Sequence, residues 1–130
     1  MMVARNISWE TKSTKPTSFA VNLSTPKDFS DCKDTDMLYY NTDKLGMLPK
    51  SVLNLKTLRD SYKQNRKNAS SKEEYNKWDS NQLAVKRLMA SFYGVLAYQG
   101  FGWADVDLAA SITASAREAI REAAFKAREL

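Results

Sequence analysis

Apolar residues recur at helical spacing through the middle of the chain. Val52, Leu55, Leu58 and Tyr62 repeat at three and four residues, which predicts an amphipathic helix from Pro49 to Lys67 with those four side chains buried. Pro49 suits its first turn, where a missing N–H costs nothing. Asn68-Ala69-Ser70-Ser71 is a short polar break, and Ser71 with Glu74 forms a capping-box pattern that starts a second helix. Tyr75, Trp78, Gln82, Val85 and Met89 track down its inner face. Two helices joined by so short a tip predict an antiparallel helical hairpin over 49–97.

The flanks read differently. Met1 to Thr11 opens with apolar residues that do not complete an element, so further chain or a partner is expected to cover them. Phe19-Ala20-Val21, set between Pro16 and Pro26, predicts a short edge strand. Met37-Leu38-Tyr39-Tyr40 predicts another strand, and Asn41 to Gly46 a turn. Three glycines between Gly94 and Gly102 predict a turn or short strand. Asp107 then reads as the cap of an Ala-rich helix from Leu108 to about Glu129. Its stripe of Leu108, Ile112, Ala116, Ile120, Ala123 and Ala127 is narrow enough to pack closely on a sheet, most of which this chain does not contain. The expected fold class is mostly α with a little β, divided as 1–48, 49–97 and 98–130.

Composition narrows the chemistry. At 130 residues the chain is one domain at most, and 43% apolar content with three tryptophans marks a folded chain. Cys32 is the only cysteine and there is no histidine, which excludes a disulfide framework, Ser-His-Asp and Cys-His catalysis and the usual zinc sites. Asp28, Asp31, Asp34 and Asp36 cluster, but they lack the glycine and terminal glutamate of a calcium loop and read as a solvated loop. No stretch is long or apolar enough to span a membrane, and no signal-peptide core opens the chain, so a reducing intracellular compartment is expected.

Charge is concentrated in the hairpin. Lys50 to Ala90 holds ten Lys/Arg against four Asp/Glu, a local excess larger than the +5 of the whole chain. Lys56, Arg59, Lys63 and Lys67 form a rail along the first helix that repels itself unless an anion lies beside it. On the second helix Lys86, Ala90 and Tyr93 share a face that ends at Gly94, backed by Val85, Leu88, Met89, Phe92 and Leu96. A cation, a gap and an aromatic in that order suit a phosphate at one end and a flat base at the other. An ordinary amphipathic helix with one solvated lysine fits the same spacing. Chain direction in the hairpin brings Arg59 and Lys63 alongside Lys86, and three cations together can hold a triphosphate.

These residues resemble a known family. Lys86-Arg87-Leu88-Met89-Ala90-Ser91-Phe92-Tyr93-Gly94 is similar to the K-x-x-x-N-S-x-Y-G segment of family B DNA polymerases. Gly46-Met47-Leu48-Pro49, followed by a helix with Arg59 and Lys63, resembles the first helix of that family's fingers. Trp103, Ser111-Ile112-Thr113 and Arg117 resemble its palm strand and following helix, and Asn6-Ile7-Ser8 with Glu10-Thr11 the segment after its D-x-x-S-L-Y-P-S motif. The resemblance implies a fingers hairpin at 49–97 between palm portions at 1–48 and 98–130. It implies that Arg59, Lys63, Lys86 and the position of Ala90 face the phosphates of an incoming dNTP, Tyr93 the nascent base pair and Gly94 the template. Primer–template DNA and Mg²⁺ are the implied partner and cofactor.

The departures carry consequences. Ala90 stands where asparagine is usual, Trp9 where proline is, and Gly102 where a basic residue is common. The chain opens just after the first catalytic aspartate motif and stops just before the second, Y-G-D-T-D-S-like one, and it shows no exonuclease or thumb region. The expectation is therefore a subunit of a split polymerase, inactive alone, whose partner chains carry the Mg-binding aspartates. The rival readings are a free-standing basic hairpin that clamps nucleic acid and a non-catalytic structural subunit.

Overall fold

The computed structural model describes residues 1–23 and 37–130. The acidic cluster Asp28, Asp31, Asp34 and Asp36 lies outside the described residues, as does Cys32. Three strands, β1 (Lys12–Ser13), β2 (Phe19–Asn22) and β3 (Met37–Tyr40), and three helices, α1 (Met47–Lys67), α2 (Lys72–Ala97) and α3 (Val106–Glu129), follow a short 3-10 turn at Trp9–Thr11. The fold is mostly α with a little β. No helix among the described residues is long and apolar enough to cross a membrane.

The sheet has the order β1-β3-β2 with both pairings antiparallel, so the Phe19-Ala20-Val21 strand does lie at an edge. Its register sets Val21 against Leu38 and Phe19 against Tyr40. Tyr40 is fully buried, and its hydroxyl lies 2.7 Å from Ser111 Oγ on α3. Ser111 Oγ is also 2.7 Å from the Asp107 carbonyl, which can only accept. The single serine proton therefore goes to Asp107, and Tyr40 donates to Ser111. The core joins this sheet to Leu48 of α1, Leu96 of α2, and Leu108, Ala109 and Ala114 of α3. Met2 and Ile7 belong to the same core, so these two N-terminal apolar residues find their cover within the chain.

Helix α1 begins two residues before the position Pro49 suggested. Its N-cap, Gly46, has no side chain to offer, and the orphan amides are taken from far away in sequence. Asn6 Oδ1 accepts the Gly46 N–H at 2.7 Å, Ser8 Oγ accepts the Leu48 N–H at 3.3 Å, and the Glu10 carboxylate accepts the Met47 N–H. Asn6 also donates to the carbonyls of Asn41 and Lys44, each at 2.8 Å, and so ties down the turn that leads into the helix. Asn6 has φ 51°, a left-handed conformation that asparagine tolerates better than most residues. Burial pushes the Glu10 carboxyl up, but hydrogen bonds from Ser8 and Met47 outweigh it and leave it below its ordinary value.

Helix α3 corrects two expectations. Its cap is Asp105, not Asp107: Asp105 Oδ1 accepts the N–H groups of Asp107 at 3.0 Å and Leu108 at 3.2 Å. Asp107 sits in the first turn, and with Asp105 it holds the Lys12 ammonium. Burial works against that charge, but the two carboxylates outweigh it and raise the Lys12 pKa. The buried face is Leu108, Ala109, Ser111, Ala114 and Ser115, whereas Ile120 is 69% exposed and Ala123 and Ala127 lie in the open. Length explains it: four residues of β2 span about 13 Å, while 24 residues of α3 run about 36 Å. Among the described residues the sheet is too short to cover the whole helix, and the buried positions of α3 all lie between Leu108 and Ser115.

Candidate functional site in the helical hairpin

The hairpin folds because its tip and its seam are both fastened. At the tip Ser71 Oγ accepts the Glu74 N–H at 3.1 Å, one half of the expected capping box. The returning half is shifted by one residue, since Glu74 accepts from the N–H and hydroxyl of Ser70. Tyr62 of α1 and Trp78 of α2 stack with centroids 5.7 Å apart. The Arg66 guanidinium lies over the Tyr75 ring and forms an ion pair with Asp79. That guanidinium, and after it the Gln82 amide, holds the Asp79 carboxyl below its ordinary pKa.

Of the four residues expected on the buried face of α1, Val52, Leu55 and Tyr62 are half-buried, but Leu58 is 41% exposed. Two helices side by side have a single seam, and Arg59 and Tyr62 occupy it where Leu58 would have gone. On α2 Gln82 and Val85 are buried. Leu88 is 51% exposed, contrary to the expected apolar backing, and opens onto a groove of about 450 Å³ shared with Met47, Phe92, Phe101 and Trp103. Trp9 closes one side of that groove, meeting Trp103 edge-to-face at 5.7 Å and donating its indole N–H to the Trp103 carbonyl at 3.1 Å.

Of the three cations, Arg59 is the one held at the seam. Arg59 Nε donates to Gln82 Oε1 at 3.2 Å, which fixes the crossing point of the two helices. Lys63 stands one turn from Arg59 toward the tip, with Asp60 Oδ1 3.9 Å from its ammonium, an exposed pairing too loose to hold it. Lys86 stands one turn from Gln82 toward the base and is exposed. One helical turn rises about 5.4 Å, which is the axial offset of Lys63 from Arg59 on α1 and of Lys86 from Gln82 on α2. Within α2 the helical repeat sets Lys86, Ala90 and Tyr93 on one exposed face.

Gly94 is a correction. It does not open a turn, because α2 continues through it to Ala97 and the chain breaks only at Tyr98. A Cβ built on Gly94 would meet no atom within 4 Å, so nothing among the described residues requires a glycine there. Beside it the Tyr93 ring is 43% exposed. The base of the hairpin thus ends in an uncovered aromatic next to bare helix backbone.

Sequence reading missed the residues that hold these groups in place. Gln82 was legible as an inner-face position but not as the partner of Arg59. The capping by Asn6, Ser8 and Glu10 has no local signal at all. Among the described residues no three Asp, Glu, His or Cys side chains converge on a possible metal site.

The profile of DNA polymerase family B matches residues 1–127. No curated protein matches the chain. Among solved structures, the family B DNA polymerase from the hyperthermophilic archaeon Pyrobaculum calidifontis superposes with a TM-score of 0.73 at 24% identity over 99% of this chain. That superposition shows a shared fold, and the chain spans 16% of the length of that polymerase. With the family profile covering nearly every residue, the chain belongs to DNA polymerase family B.

Proposed function

We propose that this chain is the nucleotide- and template-binding portion of a family B DNA-directed DNA polymerase, with the fingers at 49–97 and palm portions at 1–48 and 98–130. In this reading Arg59, Lys63 and Lys86 hold the triphosphate of the incoming dNTP. Tyr93 lies against the nascent base pair, and Gly94 leaves room for the template backbone. The observation that carries it is Arg59 braced at the seam by the buried Gln82 amide, with Lys63 one turn along α1 from Arg59 and Lys86 one turn along α2 from Gln82. Guanidinium and ammonium groups at that spacing match phosphate oxygens, and an uncovered tyrosine matches a base face. The open space over Gly94 supports the same reading, since a glycine inside a helix costs about 1 kcal/mol against alanine and nothing among the described residues asks for it.

Mg²⁺, once bound, would stabilise the charge that develops in phosphoryl transfer. Its carboxylates come from outside the described residues, from other segments of the polymerase or from partner chains. What these residues contribute is binding and orientation: cations aligned with the phosphates, and a helix face that closes over the base pair. Ala90 offers no polar contact at this face where the family usually has asparagine, so either the hold on the triphosphate is weaker or a water takes the place of that contact.

Primer extension tests the reading. The chain, the polymerase components that carry the catalytic aspartates, and their mixture are assayed side by side. Extension by the mixture, lost or slowed when the chain carries Lys86→Ala, supports it. Components that extend equally well without the chain contradict it and bring the nucleic-acid clamp forward.

A further inference from the structure

Gln82 is a buried side-chain amide at the helix–helix seam, 5% exposed, and both of its ends are committed. Its Oε1 accepts the Arg59 Nε–H at 3.2 Å, and its Nε2 donates to Asp79 Oδ1 at 3.1 Å. Asp79 is in turn ion-paired with Arg66 of the facing helix. A carboxylate only accepts, so the amide NH₂ must face Asp79 and the amide oxygen must face Arg59. Turning the amide over would set its NH₂ against a guanidinium N–H and leave two buried donors opposed.

The consequence falls on Arg59. Its Nε is held from the buried side, which fixes the plane and direction of the guanidinium. Its two terminal nitrogens have no protein partner among the described residues. A planar fork with a fixed root and free prongs suits a phosphate oxyanion better than a swinging side chain does, because less freedom is lost on binding. We propose that Gln82 is a positioning residue that aims Arg59 at the phosphate oxygens of the incoming dNTP, with Asp79 and Arg66 fixing the amide in the required orientation. This role rests on the nucleotide-binding reading given above. A purely structural amide would set helix register and nothing more.

The test is a kinetic cycle on the active polymerase that contains this chain, measuring dNTP KM, kcat and primer–template Kd. Arg59→Ala raises the dNTP KM by about ten-fold or more. Gln82→Met, which keeps the volume and removes the acceptor, raises it by about three- to five-fold and leaves the DNA Kd unchanged. Adding Gln82→Met to Arg59→Ala changes nothing further, because the residue acts only through the guanidinium. The reversed pair Gln82→Glu with Asp79→Asn keeps an acceptor facing Arg59 and a donor–acceptor contact between positions 82 and 79, and leaves KM indistinguishable from that of the starting enzyme. Asp79→Ala spares the buried packing but frees the amide to turn, and raises KM by about two-fold in the same Arg59-dependent way, so a Gln82→Met protein that does not fold leaves the test intact. If Arg59→Ala raises KM while Gln82→Met and Asp79→Ala do not, or if their effects persist in the Arg59→Ala background, positioning by Gln82 is overturned and the nucleotide reading stands. If Arg59→Ala itself leaves KM unchanged, the nucleotide reading fails first and the role of Gln82 goes with it.

Discussion

Asn6 Oδ1 accepts the backbone N–H of Gly46 at 2.7 Å, across forty residues of chain. The same side chain donates to the carbonyls of Asn41 and Lys44, so one buried amide closes the turn that launches α1. Replacing it strands a buried donor and two carbonyls at once. Asn6→Ala is expected to lower the unfolding free energy by about 2–4 kcal/mol, measured by urea denaturation. Asn6→Asp keeps the acceptor for Gly46 but turns a second oxygen toward two carbonyls, and it should rescue little.

Gly46 is held close on its other side. A Cβ there would lie 2.6 Å from Ser8 Cβ and 2.9 Å from Thr11 Cγ2, and neither neighbour is the end of a flexible chain. Gly46→Ala must therefore shift the 3-10 turn away from the start of α1. A loss of about 1–3 kcal/mol in urea denaturation is expected. A neutral result would show that the two segments are not packed as described.

Glu10 makes the same junction sensitive to acid. Its carboxyl titrates below the ordinary 4.5, because the hydrogen bonds it accepts from Ser8 and Met47 outweigh burial. A depressed folded pKa contributes stability that is present above the unfolded value and is lost as pH falls through the folded one. Against Glu10→Gln, the native chain should hold an advantage in urea midpoint at neutral pH. That advantage should fade as pH falls below 4.5. Curves that stay parallel through the acid range would remove Glu10 from this role.

The hairpin was legible from its own residues and the junction was not. Spacing at three and four residues marks α1 and α2, and the Ser71 cap fixes where the second begins, because both are local signals. What spacing cannot show is which partner a side chain meets across the fold. Leu58 and Leu88 carry the right period yet stay exposed, since a two-helix hairpin has one seam to fill. Ile120 fails likewise, because α3 outruns its sheet. Asn6, Ser8 and Glu10 read as a disconnected N-terminal segment, and only folding turns them into the cap of a distant helix. Asp105 displaced Asp107 as the cap of α3 by a shift of two residues.

The most direct test of the central claim is the dNTP dependence of primer extension by the polymerase containing this chain, with Lys86→Ala compared against the unmodified protein. Lys86 is exposed and its removal leaves the core untouched, so any change reports on a ligand. A rise in dNTP KM or a fall in kcat worth about 1.5–3 kcal/mol in kcat/KM, with primer–template affinity little changed, is the predicted result. An unchanged kcat/KM for dNTP, or a loss confined to DNA binding that deepens with salt, would contradict it.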